Sequence, residues 1–345
     1  DDTIAWYEND GASDPSWSAA DIATSADSAY GVHVADMDGD GDLDIVSASY
    51  RDDTIAWYES NAADKNLDTD AVAGVDYTAA SGTLTFDAGD TTATFTVPVL
   101  ADSAPENNET ATMTLSSASN ATLSDATGTL TITDDDSISF TGTTINQGLS
   151  DQAREVFLAD MDSDGDLDIV VSSSKDNTVA WFENDGAANP GFSHANIATN
   201  ARGGADVVVA DMDADGDLDI VSASSGDDTI AWYENDGAAN PTWSSEDIAT
   251  SANGAYSVDV ADMDGDGDLD IVSASDTDNT IAWYEHDGAA DPSWSAANIV
   301  TNVDGARGLS VADMDGDGDF DIVSAARDDD AIDWFENDGA ADPTW

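Results

Sequence analysis

The sequence predicts an all-β protein, a β-propeller of four-stranded blades, and three observations lead there. The chain repeats: Trp6 and Trp57 are 51 residues apart, and Trp181, Trp232, Trp283 and Trp334 follow one another at the same step. An acidic stretch, Asp-x-Asp-x-Asp-Gly-Asp-x-Asp, begins 21 residues before five of these tryptophans, at Asp36, Asp160, Asp211, Asp262 and Asp313. Between these landmarks, short runs alternate apolar and polar residues and are broken by Gly, Asn, Asp and Pro, which is the pattern of strands and turns.

The strands of one unit can be taken in order from the fourth repeat. The segment from Gly254 to Asp262 alternates through Val258 and Val260 and predicts a first strand, after which the acidic loop turns the chain. Leu269 to Ser275 predicts the second strand, with Leu269 and Ile271 set against Asp270. Thr280 to Glu285 predicts the third, with Ile281 and Trp283 on one face and Ala282 and Tyr284 on the other, and Trp294 to Ile299 predicts the fourth. Four strands in a unit of about 50 residues match a propeller blade, and a solenoid is the rival architecture. Five units carry the acidic loop, and residues 1–24 form a leading half-blade. On this count the propeller is expected to be incomplete: the chain starts and stops inside a unit, so a piece of a longer protein is expected.

One step breaks the rule. Trp57 and Trp181 are 124 apart, which exceeds the period by 73. In regular units a second aromatic stands 11 residues after the Trp (Trp17, Phe192, Trp243, Trp294, Trp345), with Ile five further on. After Trp57 the match fails near Asp64 and resumes at Phe140 and Ile145. The expected organisation is therefore propeller at 1–64, an insert at 65–136, and propeller again at 137–345. A loop accepts such an insert because closure entropy grows slowly with length. Thr-rich alternation predicts insert strands at Thr83–Phe86, Ala93–Val99, Thr110–Ser116 and Gly128–Thr133.

The acidic loops carry the chemistry. Calcium takes six to eight oxygens. Asp at positions 1, 3 and 5 can converge on one point, Gly at position 6 permits a sharp bend, position 7 offers its carbonyl, and position 9 adds a carboxylate. The candidate ligands are Asp36, Asp38, Asp40, Asp42 and Asp44; Asp160, Asp162, Asp164, Asp166 and Asp168; Asp211, Asp213, Asp215, Asp217 and Asp219; Asp262, Asp264, Asp266, Asp268 and Asp270; and Asp313, Asp315, Asp317, Asp319 and Asp321. The position-7 side chains are expected to face solvent. A plain Asp/Gly turn is the rival reading, and five copies in register argue against it. Mg²⁺, which demands tight octahedral geometry, suits the loop less well.

Composition narrows the function. The 345 residues hold 74 acidic and 7 basic side chains, for a net charge of −67. Such a chain cannot neutralise phosphates, which excludes nucleic acid and disfavours anionic membranes. Five Ca²⁺ would bring −67 only to about −57, so most of the acidity is expected at the surface. Cysteine is absent, which excludes disulfides, thiolate metal sites and Cys nucleophiles. No apolar run approaches the roughly 18 residues of a membrane span. His33, His194 and His286 fall at different repeat positions, no Gly-x-Ser-x-Gly elbow occurs, and the basic residues show no shared repeat position, so no catalytic centre is expected. The repeated Trp reads as core between blades. The second aromatics Trp17, Trp243 and Trp294 are the better candidates for stacking on sugars.

The segment Val260-Ala-Asp-Met-Asp-Gly-Asp-Gly-Asp-Leu-Asp-Ile-Val-Ser-Ala-Ser275 resembles the FG-GAP/VCBS repeat, related to the calcium-binding blades of integrin alpha chains. That resemblance implies a β-propeller with calcium as its ion. Within the insert, Gly74-Val-Asp-Tyr-Thr-Ala-Ala-Ser-Gly-Thr-Leu-Thr-Phe86, Asp102-Ser-Ala-Pro-Glu-Asn-Asn-Glu109 and Thr131-Ile-Thr-Asp-Asp-Asp136 are similar to a Calx-beta domain. This implies a β-sandwich-like insert and a second class of calcium ligands: Asp76, Asp102, Glu106, Glu109, Asp134, Asp135 and Asp136. The family's first strands have no counterpart between Trp57 and Val75.

The expected function is a calcium-binding module, secreted or at the cell surface, that serves adhesion or the binding of a protein or glycan partner. A scaffold or accessory domain of a polysaccharide-acting enzyme and a structural spacer in a large surface protein are the alternatives.

Overall fold

The computed structural model describes residues 2–9, 17–39, 41, 43–60, 71–101, 109–133, 140–145, 152–290, 292–340 and 343–345. No helix occurs among them. The two-residue alternation seen in the sequence becomes 23 strands among the described residues.

The first strands, β1 (Ile4–Asn9) and β2 (Trp17–Ala23), form a two-stranded antiparallel sheet. Blade one holds β3 (Ala29–Ala35), β4 (Asp44–Ser49) and β5 (Thr54–Ser60). The insert contributes β6 (Glu109–Thr114) and β7 (Thr127–Ile132), after which β8 (Phe140–Thr144) completes blade one. Blade two is β9 (Ala153–Ala159), β10 (Asp168–Ser173), β11 (Thr178–Asn184) and β12 (Phe192–Ala198). Blade three is β13 (Gly204–Ala210), β14 (Asp219–Ser224), β15 (Thr229–Asn235) and β16 (Trp243–Ala249). Blade four is β17 (Ala255–Ala261), β18 (Asp270–Ser275), β19 (Thr280–His286) and β20 (Trp294–Val300). Blade five shows β21 (Ala306–Ala312), β22 (Asp321–Ala326) and β23 (Ala331–Phe335). The five blades form a β-propeller in which the first strands β3, β9, β13, β17 and β21 neighbour one another in chain order.

Packing explains why each second strand reads Asp-Ile-Val-Ser-Ala-Ser or close to it. A propeller strand is covered on both faces, so both of its alternating sets are buried. In β14 every residue is buried. Ile220 joins the core shared with blade two, whereas Val221 and Ala223 join the core shared with blade four. The small Ser and Ala let adjacent sheets approach. The repeated Trp is core, as read from the sequence: Trp57, Trp181, Trp232 and Trp283 are buried.

The Met at loop position 2 ties consecutive blades. Met161 packs with Val207, Ile220 and Tyr233 of blade three, and Met212 packs with Val258, Ile271 and Tyr284 of blade four. Met37, Met161, Met212 and Met263 are each 2% exposed. Met314 of blade five is 54% exposed and Trp334 is 50% exposed.

A second compact unit comprises residues 40–43 and 60–141. Its described residues form one antiparallel ribbon, β6 with β7, and the bridges Ala73↔Tyr77 and Tyr77↔Val99. The strands expected at Thr110–Ser116 and Gly128–Thr133 are present. Those expected at Thr83–Phe86 and Ala93–Val99 are not, apart from the bridge at Val99. Alternation fits a pleated backbone but supplies no partner, and Phe86 and Phe95 are exposed rather than packed on a facing sheet.

Because Met212 is buried and Met314 is not, Met212→Ala should destabilise the propeller by about 2–5 kcal/mol, whereas Met314→Ala should stay within about 0.5 kcal/mol. Denaturant titrations of both variants at fixed calcium would measure this, and equal shifts would contradict the anchoring role.

Candidate metal centre

Each acidic loop joins the first and second strands of a blade. In blade two, Asp160 Oδ1 accepts the N–H of Asp164 at 3.0 Å, and Asp160 Oδ2 accepts that of Gly165 at 3.0 Å. Asp162 Oδ1 accepts the N–H of Asp164, and Asp164 Oδ1 accepts that of Asp166. The chain thus curls around its own carboxylates. The bend requires Gly at position 6, where φ is +102° at Gly165, Gly216 and Gly318, +103° at Gly267 and +100° at Gly41.

The loops bring acidic oxygens together. One oxygen from each of Asp160, Asp162 and Asp164 lies within 4.8 Å of the others, and the same holds for Asp211, Asp213, Asp215 and for Asp262, Asp264, Asp266. The first and fifth loops gather positions 1, 3 and 9 instead: Asp36, Asp38, Asp44 and Asp313, Asp315, Asp321. Asp40 and Asp42 lie outside the described residues. The position-3 carboxyls of Asp162, Asp213, Asp264 and Asp315 are pushed above the usual carboxylate range, by desolvation first, with the charges at positions 5 and 1 adding to it. In the third loop Asp211 Oδ1 is buried with no hydrogen-bond partner. Oxygens only, crowded, partly desolvated and incompletely satisfied, are what a hard divalent cation takes, so the residues present fit a metal ion.

Position 9 has a second task. Asp219 Oδ2 accepts the N–H of Met212 at 3.2 Å, and its Oδ1 accepts the N–H of Asn235 at 2.8 Å. Asp168, Asp270 and Asp321 repeat both bonds. Burial pushes Asp168, Asp219 and Asp270 up to about 7, against the lowering effect of these N–H donors. The indole N–H groups of Trp181, Trp232 and Trp283 also lower them, although none closes a hydrogen bond of ordinary geometry. The position-7 groups Asp166, Asp217, Asp268 and Asp319 stand apart from the clusters. Rather than facing open solvent, they lie over the Gly that follows the third strand. At Gly237, with φ +66°, a Cβ would collide with Asp217 Oδ2.

Residues that the motif did not flag complete the centre. Asn235 donates through Nδ2 to Leu218 O in its own blade and to Met161 O in the preceding one, at 3.1 and 2.9 Å. Asn184 and Asn337 do the same with Met37 O and Met263 O. All three stand three residues after the repeated Trp, a register that would have revealed them. In blade four this place is taken by His286, buried, with Nδ1 accepting the Gly288 N–H and Nε2 unpartnered. The reading of His286 as one of three scattered histidines missed that substitution.

In the insert, Asp76 is buried and accepts the N–H of Val72, capping its turn. Glu109 is buried at the start of β6. Asp102, Glu106, Asp134, Asp135 and Asp136 lie outside the described residues, and no acidic cluster of three occurs in the described part of the insert. Trp243 and Trp294 are half-buried and pack against inter-blade cores, with Trp294 at 5.0 Å from His286 and 6.5 Å from Trp232.

Comparison with known proteins agrees with this geometry. The FG-GAP-like repeat family matches residues 1–47, 160–222, 211–273 and 262–324, together more than half of the chain, and the chain belongs to that family. The Calx-beta domain family matches residues 58–136. Among solved structures, the biofilm matrix protein Bap1 of V. cholerae is similar at 17% identity and a TM-score of 0.39, over 92% of this chain and 38% of Bap1. A search of the curated proteins finds no match.

Two outcomes follow from the buried groups. His286→Asn restores the donor found at the other blade junctions and should stabilise the protein by about 1 kcal/mol in a denaturant titration. Loss of stability would count against the clamp. Glu155, on β9, is pushed from 4.5 up to about 8 by burial first and by the charge of Asp206 second. Its folded form therefore keeps a proton that the unfolded chain releases, a contribution fully present below pH 4.5 and lost as pH rises to about 8. Glu155→Gln should melt nearer the wild type at pH 5 and above it at pH 8.5, as thermal scans at fixed calcium would show.

Proposed function

We propose that this chain is a calcium-stabilised, extracellular repeat module that presents a rigid propeller surface for adhesion or for binding a protein or glycan partner, and that it is not itself an enzyme. The observation that carries the reading is the recurrence of convergent carboxylate oxygens at one place in all five blades. Catalytic groups are normally unique within a chain, whereas ions that hold a fold together recur with its repeats.

Calcium is favoured over softer metals because every candidate donor is oxygen. Extracellular modules bind it at about 10⁻⁴–10⁻³ M, so millimolar calcium suffices. At ten times its dissociation constant, each site would add about 1.4 kcal/mol by mass action. Five such sites would together supply about 7 kcal/mol, comparable to the roughly 5–15 kcal/mol net stability of an ordinary domain. Among the described residues no helix is long and apolar enough to cross a membrane.

Calcium removal tests this directly. Excess EDTA should lower the melting temperature by well over 10 °C, titration should restore it, and native mass spectrometry should count about five ions on the propeller. Each of Asp160→Ala, Asp211→Ala and Asp262→Ala should remove one ion. A melt indifferent to EDTA would end the calcium reading.

A further inference from the structure

The basic residues, which seemed scattered along the sequence, do not scatter in space. Arg154 and Arg307 are 153 residues apart, three periods of 51, and each is second in a first strand, β9 and β21. Tyr30 and Tyr256 hold that same place in β3 and β17. These strands end at the acidic loops, so this cluster lies at their opposite end.

Arg154 Cζ is 5.7 Å from the ring centroid of Tyr30, 5.4 Å from Tyr50 and 5.2 Å from Tyr256. Arg307 Cζ is 4.4 Å from Tyr256, whose ring is thereby shared by two guanidinium groups. The arginines differ in one respect. Arg307 Nε donates to Asp276 Oδ2 at 2.9 Å, Arg327 Nη1 donates to the same oxygen at 3.2 Å, and Arg327 Nη2 donates to Asp328 at 2.6 Å. Arg154 has no carboxylate partner among the described residues, and its Nε and Nη1 are buried without an acceptor. The aromatic faces compensate its charge but take none of its in-plane N–H donors.

The local charge is also informative. Arg307 and Arg327 are paired with Asp276 and Asp328, which leaves Arg154 as the cation of this cluster without a carboxylate partner, on a molecule that carries −67. Glu155, beside Arg154 in sequence, is raised to about 8 by burial and by Asp206, and at neutral pH it does not cancel that charge. A single positive site suits a single carboxylate. A polyanion or an acidic peptide would bring further charges against the surrounding negative field.

We propose that this end of the propeller binds a glycan through one isolated uronate, whose carboxylate takes the unpaired donors of Arg154 while the apolar face of the sugar ring lies on the exposed ring of Tyr30. The inference rests on the reading of the chain as a binding module and names its ligand class. It does not involve the acidic loops.

The test is calorimetry of the full chain, calcium-saturated, with a trisaccharide containing one glucuronate. The same trisaccharide with its carboxyl reduced, a tripeptide with one glutamate, and inorganic sulfate are the comparisons. The glucuronate sugar should bind at least tenfold more tightly than any of the three. Arg154→Gln should weaken it at least tenfold and Arg154→Lys less. Tyr30→Ala, at an exposed ring, should weaken it at least threefold without lowering the melting temperature, and it serves as the decisive variant if Arg154→Gln does not fold. Equal binding of the reduced sugar, tighter binding of the peptide or sulfate, or undiminished binding by the variants overturns the site while leaving a binding module in place. Failure of every glycan and every protein partner tested to bind overturns both.

Discussion

The arrangement depends on a buried carboxylate at the end of each acidic loop. Asp219 accepts one N–H from the loop, at Met212, and one from the end of the third strand, at Asn235. That pair of bonds fixes the loop to its own blade. It also holds two anchors in place: Met212, which enters the following core, and Asn235, which reaches back to the Met161 carbonyl of the preceding loop. One acceptor therefore sets the attitude of a blade toward both neighbours. Its cost is the desolvation that lifts its titration to about 7. Two backbone donors offset part of that cost, and a cation held by the same loop would offset more.

From this it follows that a metal held by a loop and the packing of its blade would not be separate features. The candidate ligands at positions 1, 3 and 5, the anchor at position 2 and the bridge at position 9 lie within nine residues of chain. A loop splayed by unneutralised carboxylates would carry its Met out of the neighbouring core. Repeat proteins derive stability from each unit plus its interfaces, and an ion held at one loop would act on both terms. The substitution of His286 for Asn is the one place among the described clamps where a junction lacks the donor to the preceding loop.

Much of this was legible before any coordinates. The period, the loop and the Trp register located the blades and the convergent carboxylates, because ligand spacing and strand alternation are both local in sequence. The clamps were not read, because an Asn in Glu-Asn-Asp-Gly looks like an ordinary turn residue, and its partner, for Asn235 the Met161 carbonyl, lies 74 residues away. The Arg154 and Arg307 correspondence was hidden for a different reason: five other basic residues, one of them in the insert, surround the two that match. In the insert the family was legible but two of the four strands were not. Thr-rich alternation over 83–86 and 93–99 describes what a strand tolerates, whereas pairing needs a neighbouring strand at hydrogen-bonding distance, which alternation does not encode.

The acidity itself is better understood from the hydrogen bonds than from the charge count. The sequence suggested that Asp beyond the metal loops lies on the surface. Many of these groups, exposed as they are, also act as acceptors for backbone N–H groups that the sheets leave over. Asp236 takes the N–H of Ala238 and of Thr242 to shape the turn after the third strand, and Asp185, Asp287 and Asp338 do likewise; the hydroxyls of Thr242, Ser293 and Thr344 first, and these N–H groups second, hold Asp236, Asp287 and Asp338 below the usual carboxylate range, and the Gly191 N–H does so for Asp185. Asp228 takes the Gly254 N–H across a blade junction, and Asp206 and Asp259 take those of Val258 and Val311. A short carboxylate is an acceptor with no donor to satisfy in turn, so it closes a tight turn at little entropic cost. The accumulated repulsion is the other side of that choice. At about 8 Å, the screening length in physiological salt exceeds the spacing within a loop but falls short of the distance across a blade. Repulsion between blades is thus damped by salt, whereas repulsion inside a loop is not, and takes a bound cation or a proton to relieve it.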